Sequence, residues 1–290
     1  MESLLLVGGS GWIGSHLKKY LSDQGYRVST LSRGSLEWDP ERGVIELASL
    51  ENYFAVINLA GESIMEGRWN MAKKERIYSS RVTTTKLLAE AISRLKNPPK
   101  LFLSSSAIGI YGMHGDEEVT EQTACGSGFL ATVCQDWEKA AQLPRSCPTR
   151  VVSLRFGMVL GCDGGALKQM IPLFRYGLGG TIGSGKQWIS WIAMEDLVRF
   201  VHFIIQRPNL SGAINVVSPY PVQQVEFAKM LAVALHRPAL FPLPAWVVKC
   251  LFGEKGAETL LSSIRALPAV ALEQGFVFRC PKIYNFDFNV

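Results

Sequence analysis

Short apolar runs alternate along the chain with stretches whose apolar positions recur at helical spacing. Residues 3–9 (SLLLVGG) form a run ending in glycine, and residues 12–26 place Ile13, Leu17 and Leu21 on one helical face, with Gly25 as the stop signal. Further runs at 27–33, 54–61, 99–106 and 149–157 predict strands, and helical stretches around 71–95 and 128–143 separate the later ones. Strands that read as near-continuous apolar runs between helices predict a parallel sheet covered on both faces. The expected fold class is therefore α/β, a doubly wound parallel sheet.

The pattern changes after about residue 157. Residues 177–188 (GLGGTIGSGKQW) read as a loop with short strands, 194–206 as an amphipathic helix and 212–219 as a last strand. From residue 222 onward, helical segments are broken by Pro238, Pro242, Pro244 and Pro268. This divides the chain into a sheet domain over 1–217 and a smaller, mainly helical lobe over 218–290, which is expected to pack over the carboxyl edge of the sheet.

Composition narrows the function classes. The formal net charge is +5, with Lys and Arg scattered rather than clustered, so a dedicated nucleic-acid surface is not indicated, and a small anionic ligand accounts for the excess as well. Cys125, Cys134, Cys147, Cys162, Cys250 and Cys280 show no C-x-x-C pair and no His partner at ligand spacing, so no metal site is expected and the thiols read as reduced. No apolar run reaches the ~18 residues of a membrane span. The chain enters its first strand without a basic leader or cleavage site, which predicts a cytoplasmic protein and leaves organellar import open.

The chemistry begins at VGGSGWIG (7–14). Gly8, Gly11 and Gly14 satisfy G-x-x-G-x-x-G between a strand and a helix, the Rossmann-type arrangement for a dinucleotide pyrophosphate. Ser10, Trp12 and Ile13 share that turn. At the end of the second strand, where an NAD site places an acid for the ribose hydroxyl, this chain has Leu31, Ser32 and Arg33. A planar cation there suits a 2′-phosphate, so the expected cofactor is NADP. Asn58, Leu59, Ala60 and Gly61 end the third strand in small residues that suit the adenosine side. Arg81 is assigned to the pyrophosphate or the nicotinamide ribose, or else to a salt bridge on a helix face.

The segments VGGSGWIG, INLAG, FLSSSAIGIYG and SLRFGMVLG resemble, in order and spacing, the motifs of the extended short-chain dehydrogenase/reductase family, which includes sugar-nucleotide epimerases. NLAGESI, GMVLGCDGG, ISWIAMEDL and NVVSPYPV are similar to an epimerase-like branch carrying a helical C-terminal domain of unknown function. The resemblance covers nearly the whole chain. It implies a catalytic role for Ser106, a substrate-side position for Tyr111, cofactor contact for Ser104, and a nicotinamide wall built by Gly157, Met158 and Val159. A homodimer is a further implication.

One departure bears on mechanism. The family places Y-x-x-x-K on the helix after the serine, with both groups on one face. Here the aligned pair is either Phe129 with Val133 or Leu130 with Cys134, and neither exchanges protons usefully. Residues able to supply a proton elsewhere are Glu62, Tyr111, His114, Cys134, Glu138 and Lys168. Glu62 stands at a strand's carboxyl edge as a base, a ribose contact or a helix cap, and Glu138 reads as a surface position. Two functions remain open: an NADP-dependent oxidoreductase or epimerase-like enzyme acting on a small carbonyl or alcohol, and a catalytically weak or inactive NADP(H) sensor.

The cofactor assignment is testable at Arg33. Arg33→Asp is expected to weaken NADPH relative to NADH by about 10- to 100-fold, the loss of one charge-assisted contact, read by fluorescence titration. An unchanged preference would remove Arg33 from the 2′-phosphate site.

Overall fold

The computed structural model describes residues 1–32 and 38–288. Arg33 therefore lies outside the described residues. The central sheet is built from β1 (Ser3–Val7), β2 (Arg27–Leu31), β3 (Ala55–Asn58), β4 (Leu101–Ala107), β5 (Arg150–Phe156) and β6 (Gly212–Val216). All six are parallel, in the order β2-β1-β3-β4-β5-β6. The chain steps outward from β1 to β2, then returns to the other side of β1 to begin β3. That reversal opens a crevice at the carboxyl ends of β1 and β3, where an open α/β sheet binds ligands.

The uninterrupted apolar strands follow from double coverage. Leu4, Leu6, Ile57, Leu103 and Leu154 face one layer, packed against Leu17 and Leu21 of α1 (Trp12–Asp23). The same layer holds Leu197, Phe200, Val201 and Ile204 of α6 (Met194–Ile205). Leu5, Val7, Val56 and Phe102 point the opposite way, onto Leu88 and Ile92 of α3 (Val82–Ile92). Alternate residues of one strand thus enter two different cores, as the pleat requires.

The helical pattern at 71–95 resolves into α2 (Met71–Ser79) and α3, with a break at Ser80 and Arg81. The Ser80 hydroxyl donates to the Ile77 carbonyl, and the Glu62 backbone N–H donates to Ser80 Oγ. Serine competing for backbone groups in this way ends a helix. The break aims Arg81 at the crevice. Helix α4 (Phe129–Ala140) follows β4, and α5 (Gly165–Arg175) follows β5.

Beyond β6 come α7 (Gln224–Ala234), α8 (Ala245–Thr259) and the short α9 (Ala269–Glu273). The second half of α8, after a kink at Gly253, meets the sheet domain at its carboxyl edge. Lys255, buried, donates to the carbonyls of Met65 (3.1 Å) and Gly67 (2.6 Å) in the loop after β3. Glu258 accepts from the N–H groups of Phe129 (2.9 Å) and Leu130 (2.8 Å), capping α4 with a negative charge at the positive end of its dipole. Among the described residues no helix is long and apolar enough to cross a membrane, and no group of three or more His, Cys, Asp or Glu is placed to hold a metal ion.

The carboxyl-terminal segment is tied back by Asp196, whose side chain is 0% exposed. Its oxygens accept from Arg199 Nη1 (2.6 Å) and from the backbone N–H groups of Arg279 (2.9 Å) and Cys280 (2.7 Å). Asp196→Ala orphans these donors and is expected to lower unfolding free energy by about 2–5 kcal/mol, measured by urea denaturation. A change near zero would show that the segment contributes no stability.

Candidate functional site

The crevice holds a cavity of about 490 Å³, within the usual range for a small-molecule site. Gly8, Gly11, Trp12, Ile13 and Gly14 form one side, and Leu59, Ala60 and Gly61 another. The glycines are sterically required. A Cβ on Gly14 would stand 2.7 Å from Gly9 Cα and 2.8 Å from the Gly8 carbonyl oxygen, so α1 could not pack this closely on the turn. Gly8 takes a φ of +79°, and a Cβ there would meet the Ala60 backbone at 3.0 Å. The N-terminus of α1, with no acidic residue in its first turn, opens into the cavity with its unpaired N–H groups. This cradle fits a dinucleotide pyrophosphate.

Arg81 lines the same cavity. Its guanidinium donates to the carbonyls of Glu62 (2.9 Å) and Ile77 (3.2 Å) and lies 5.3 Å from the centroid of the Trp137 ring. Among the described residues no carboxylate pairs with it, so a half-buried cation faces the cavity with its charge free for an anion. Burial pulls its pKa down from the ordinary arginine value, with the charge of Glu62 among the opposing influences. The helix-face salt bridge weighed for Arg81 is not formed.

Ser105, Ser106 and Ala107 bring the end of β4 to the cavity, and α4 forms the facing wall with Leu130, Val133, Cys134 and Trp137. Of the two alignments of the missing pair, Leu130 with Cys134 faces the cavity. Phe129 turns away, its ring centroid 5.2 Å from that of Trp69 and 4.9 Å from the Lys74 ammonium. The wall that carries acid and base in the resembling family is apolar here. Burial pushes the Cys134 thiol up to about 12, so it serves as neither acid nor nucleophile near neutrality.

Ser106 Oγ donates to Glu138 Oε1 at 2.7 Å. Glu138, with its side chain 15% exposed, is no surface position: it also accepts Arg155 Nε (2.8 Å) and Nη2 (2.9 Å) in a two-pronged ion pair. Arg155 Nη1 continues to the Tyr111 hydroxyl at 2.9 Å, which donates to Asn215 Oδ1 at 2.7 Å. Burial opposes the Arg155 charge, but Glu138 and Tyr111 outweigh it and raise its pKa further.

This network corrects the expectation for Tyr111. It is 1% exposed, stands outside the cavity lining, and spends its hydroxyl between Arg155 and Asn215. Burial raises its pKa, so it is a structural anchor. Glu62 is also placed away from the cavity. Its carboxylate accepts from Lys73 Nζ (2.5 Å) and Arg76 Nε (3.2 Å), and the Lys73 hydrogen bond holds its pKa below the usual range. Its contribution to the site is the carbonyl that anchors Arg81.

Several further residues assigned to the cofactor stand outside the cavity lining. Asn58 is buried, donating to Thr85 Oγ1 (2.8 Å) and accepting the Ala60 N–H (3.1 Å), which shapes the loop without touching the cavity. Ser104 is buried in β4, and Val159 packs in the core beside Ile192. Leu31 is buried and gives its carbonyl to the Gly8 N–H, while Ser10 and Ser32 stand outside the lining. Phe156, rather than Gly157, Met158 or Val159, closes the cavity at the end of β5. His114 pairs loosely with Glu117 at 3.7 Å, away from the cavity, and Lys168 sits on α5. Ser63, Ile64, Gly109 and Trp137 line the cavity without having been singled out. Only Trp137 carried a signal, one helical turn beyond Val133 on the apolar stripe.

A family model described as the NAD dependent epimerase/dehydratase family matches residues 4–217, and one described as a domain of unknown function matches 243–285. The chain is 36% identical over 287 residues to Epimerase family protein SDR39U1 of Homo sapiens, covering 97% of this chain and 96% of that protein. It is 39% identical over 279 residues to Epimerase family protein Mb2239 of Mycobacterium bovis, covering 94% and 92%. The crystal structure of human epimerase family protein SDR39U1 (isoform2) with NADPH is similar with a TM-score of 0.91 at 34% identity, over 99% of this chain and 98% of that one.

The burial of Cys134 has a direct readout. At pH 8 iodoacetamide is expected to modify the exposed Cys125 and Cys250 and to spare Cys134 until the protein is denatured, followed by peptide mass spectrometry. Labelling of Cys134 in the folded protein at the rate of the exposed thiols would return it to the list of reactive groups.

Proposed function

The chain belongs to the NAD dependent epimerase/dehydratase family, and on that premise we propose that it is an NADP-dependent oxidoreductase acting on a small carbonyl or alcohol. The observation that carries the reading is that the glycine cradle, the unneutralised Arg81 and Ser106 all border one cavity. The sequence expectation of NADP agrees with the NADPH present in the human neighbour. Gly8, Gly11, Gly14 and the start of α1 would hold the pyrophosphate, and Leu59, Ala60 and Gly61 would lie along the adenosine side. When bound, the nicotinamide supplies or accepts hydride.

The chain's own residues supply orientation and electrostatics. Ser106 Oγ is placed to hydrogen-bond a substrate oxygen at the cavity wall. Arg81 brings a positive charge from the start of α3 to the face of α4 where the family's lysine is missing. Leu130, Val133 and Phe156 exclude water, which strengthens both interactions. Residues 218–290 act as the lobe that holds the wall in place through Lys255 and Glu258. A second reading, an NADP(H) sensor without turnover, is favoured by the apolar Leu130 and Cys134 wall.

The test is turnover in the NADPH-loaded protein, followed at the reduced-nicotinamide absorbance with phenanthrenequinone, aliphatic hydroxyketones and UDP-sugars. Oxidation of NADPH by any of these that is lost in Ser106→Ala supports the enzyme. Tight NADPH binding with no oxidation by any of them supports the sensor. Arg81→Met is expected to weaken NADPH by about 10- to 100-fold in either case, since a buried charge-assisted contact is removed.

A further inference from the structure

Resting on the oxidoreductase reading, we propose that Ser106 and Glu138 form a proton relay that replaces the missing tyrosine and lysine, carrying protons between the cavity and a solvent cleft behind it. Ser106 lines the cavity, and its hydroxyl donates to Glu138 at 2.7 Å. Glu138 does not line that cavity. It lines a second cleft of about 380 Å³, together with Gln142, Ser153 and Gly212, where α4 passes the beginnings of β5 and β6. Exposed Gln142, Arg145 and Ser211 rim this cleft, so water reaches it. One hydrogen bond therefore joins two separate spaces, one for substrate and one for solvent.

The relay balances as follows. In the oxidation direction the alcohol O–H proton passes to Ser106 Oγ as the serine's own proton passes to Glu138 Oε1. The carbinol C–H bond breaks, its hydrogen and two electrons go to an oxidised nicotinamide, and the C=O bond forms. Glu138 then releases the proton to water in the cleft. Reduction of a carbonyl runs the same path backward, consuming one proton from solvent. Ser106 touches the substrate; Glu138 acts through it as a positioning and proton-holding residue.

The groups facing Glu138 suit a conduit. Arg155 from β5 holds both carboxylate oxygens, fixing their direction toward Ser106. Tyr111 and the Glu121 carbonyl hold Arg155 from the other side, at 2.9 Å and 3.4 Å. Cys134 on the same helix, buried with its thiol pushed up to about 12, keeps its proton and does not compete. Arg145 and Cys147 border the cleft on its solvent side.

The experiment compares wild type, Ser106→Ala, Glu138→Gln and Glu138→Asp, with melting temperature and NADPH affinity measured for each. Ser106→Ala leaves the Arg155 pair intact, so it answers even if Glu138→Gln fails to fold. NADPH affinity is expected to stay constant. With phenanthrenequinone or any other probe that is reduced, kcat in Ser106→Ala and Glu138→Gln is expected to fall by about 10²-fold or more. Because carbonyl reduction through the relay consumes a solvent proton, wild-type kcat is expected to fall with rising pH. This dependence is expected to vanish in both variants and to return in part, with part of the rate, in Glu138→Asp. In the cofactor-free protein, the infrared carboxylate band lost in Glu138→Gln is expected to shift in Ser106→Ala, which removes its hydroxyl donor.

Turnover with an unchanged kcat and pH profile in Glu138→Gln and Ser106→Ala overturns the relay and leaves the oxidoreductase reading standing. A carboxylate band indifferent to Ser106→Ala also overturns it, because the contact would not exist in solution. No turnover in wild type despite tight NADPH binding removes the oxidoreductase reading, and the relay with it.

Discussion

The ion pair between Arg155 and Glu138 is the interaction on which the rest of the site depends. With its side chain 8% exposed, Arg155 must have its charge and its N–H groups satisfied where β5 ends, and Glu138 supplies two acceptors from α4. Removing either partner would leave an uncompensated charge, which costs about 3–5 kcal/mol in buried pairs. The pair sets the rotation of α4 over the sheet. Once Glu138 faces β5, the helical period carries Leu130, Cys134 and Trp137 to the cavity. The Ser106 hydroxyl at the end of β4 then finds its acceptor in the same carboxylate.

That geometry explains how the fold keeps a cofactor-type cavity with an apolar helix wall. The scaffold of α4 remains, secured at its N-terminus by Glu258 and along its length by Arg155, but its cavity face is apolar. Charge enters instead from the break between α2 and α3, through Arg81, and the polar contact from β4, through Ser106. Arg81 is held by backbone carbonyls, whose lone pairs orient the guanidinium without cancelling its charge. A carboxylate in their place would have neutralised it. The separation of roles follows from that difference: Glu62 gives its side chain to Lys73 and Arg76 and only its carbonyl to Arg81.

Much of the fold was legible in the sequence because its signals are local. A glycine that cannot tolerate a Cβ, as at Gly14, announces a strand packed tightly against a helix, and apolar runs such as Leu4 to Val7 announce a strand buried on both sides. The turn residues Gly8, Gly11, Trp12, Ile13 and Gly14 and the loop Leu59 to Gly61 do line the cavity, since a motif that is contiguous in the chain remains contiguous in space. Asn58, Ser104 and Val159 do not: the cavity meets the carboxyl end of β4 at Ser105 to Ala107, and the chain gives no sign of where along a strand the cavity begins. The division of 71–95 into two helices escaped the periodicity because Ser80 ends a helix through side-chain bonds to the backbone, a competition that leaves the apolar spacing unchanged.

By itself the sequence determined the doubly wound sheet and the strand-turn-helix cradle, both of which reside in residue types at short spacing. Only the tertiary structure decided what each polar side chain does. Tyr111 lies five residues after Ser106, yet its hydroxyl is spent on Asn215, which is 104 positions away. Glu138 resembles a surface residue in its own helix and becomes a half-buried partner because β5 brings Arg155 beneath it. A side chain's chemistry depends on the charges and hydrogen bonds that surround it. In a parallel sheet those neighbours come from crossovers distant in the chain, so local sequence cannot specify them.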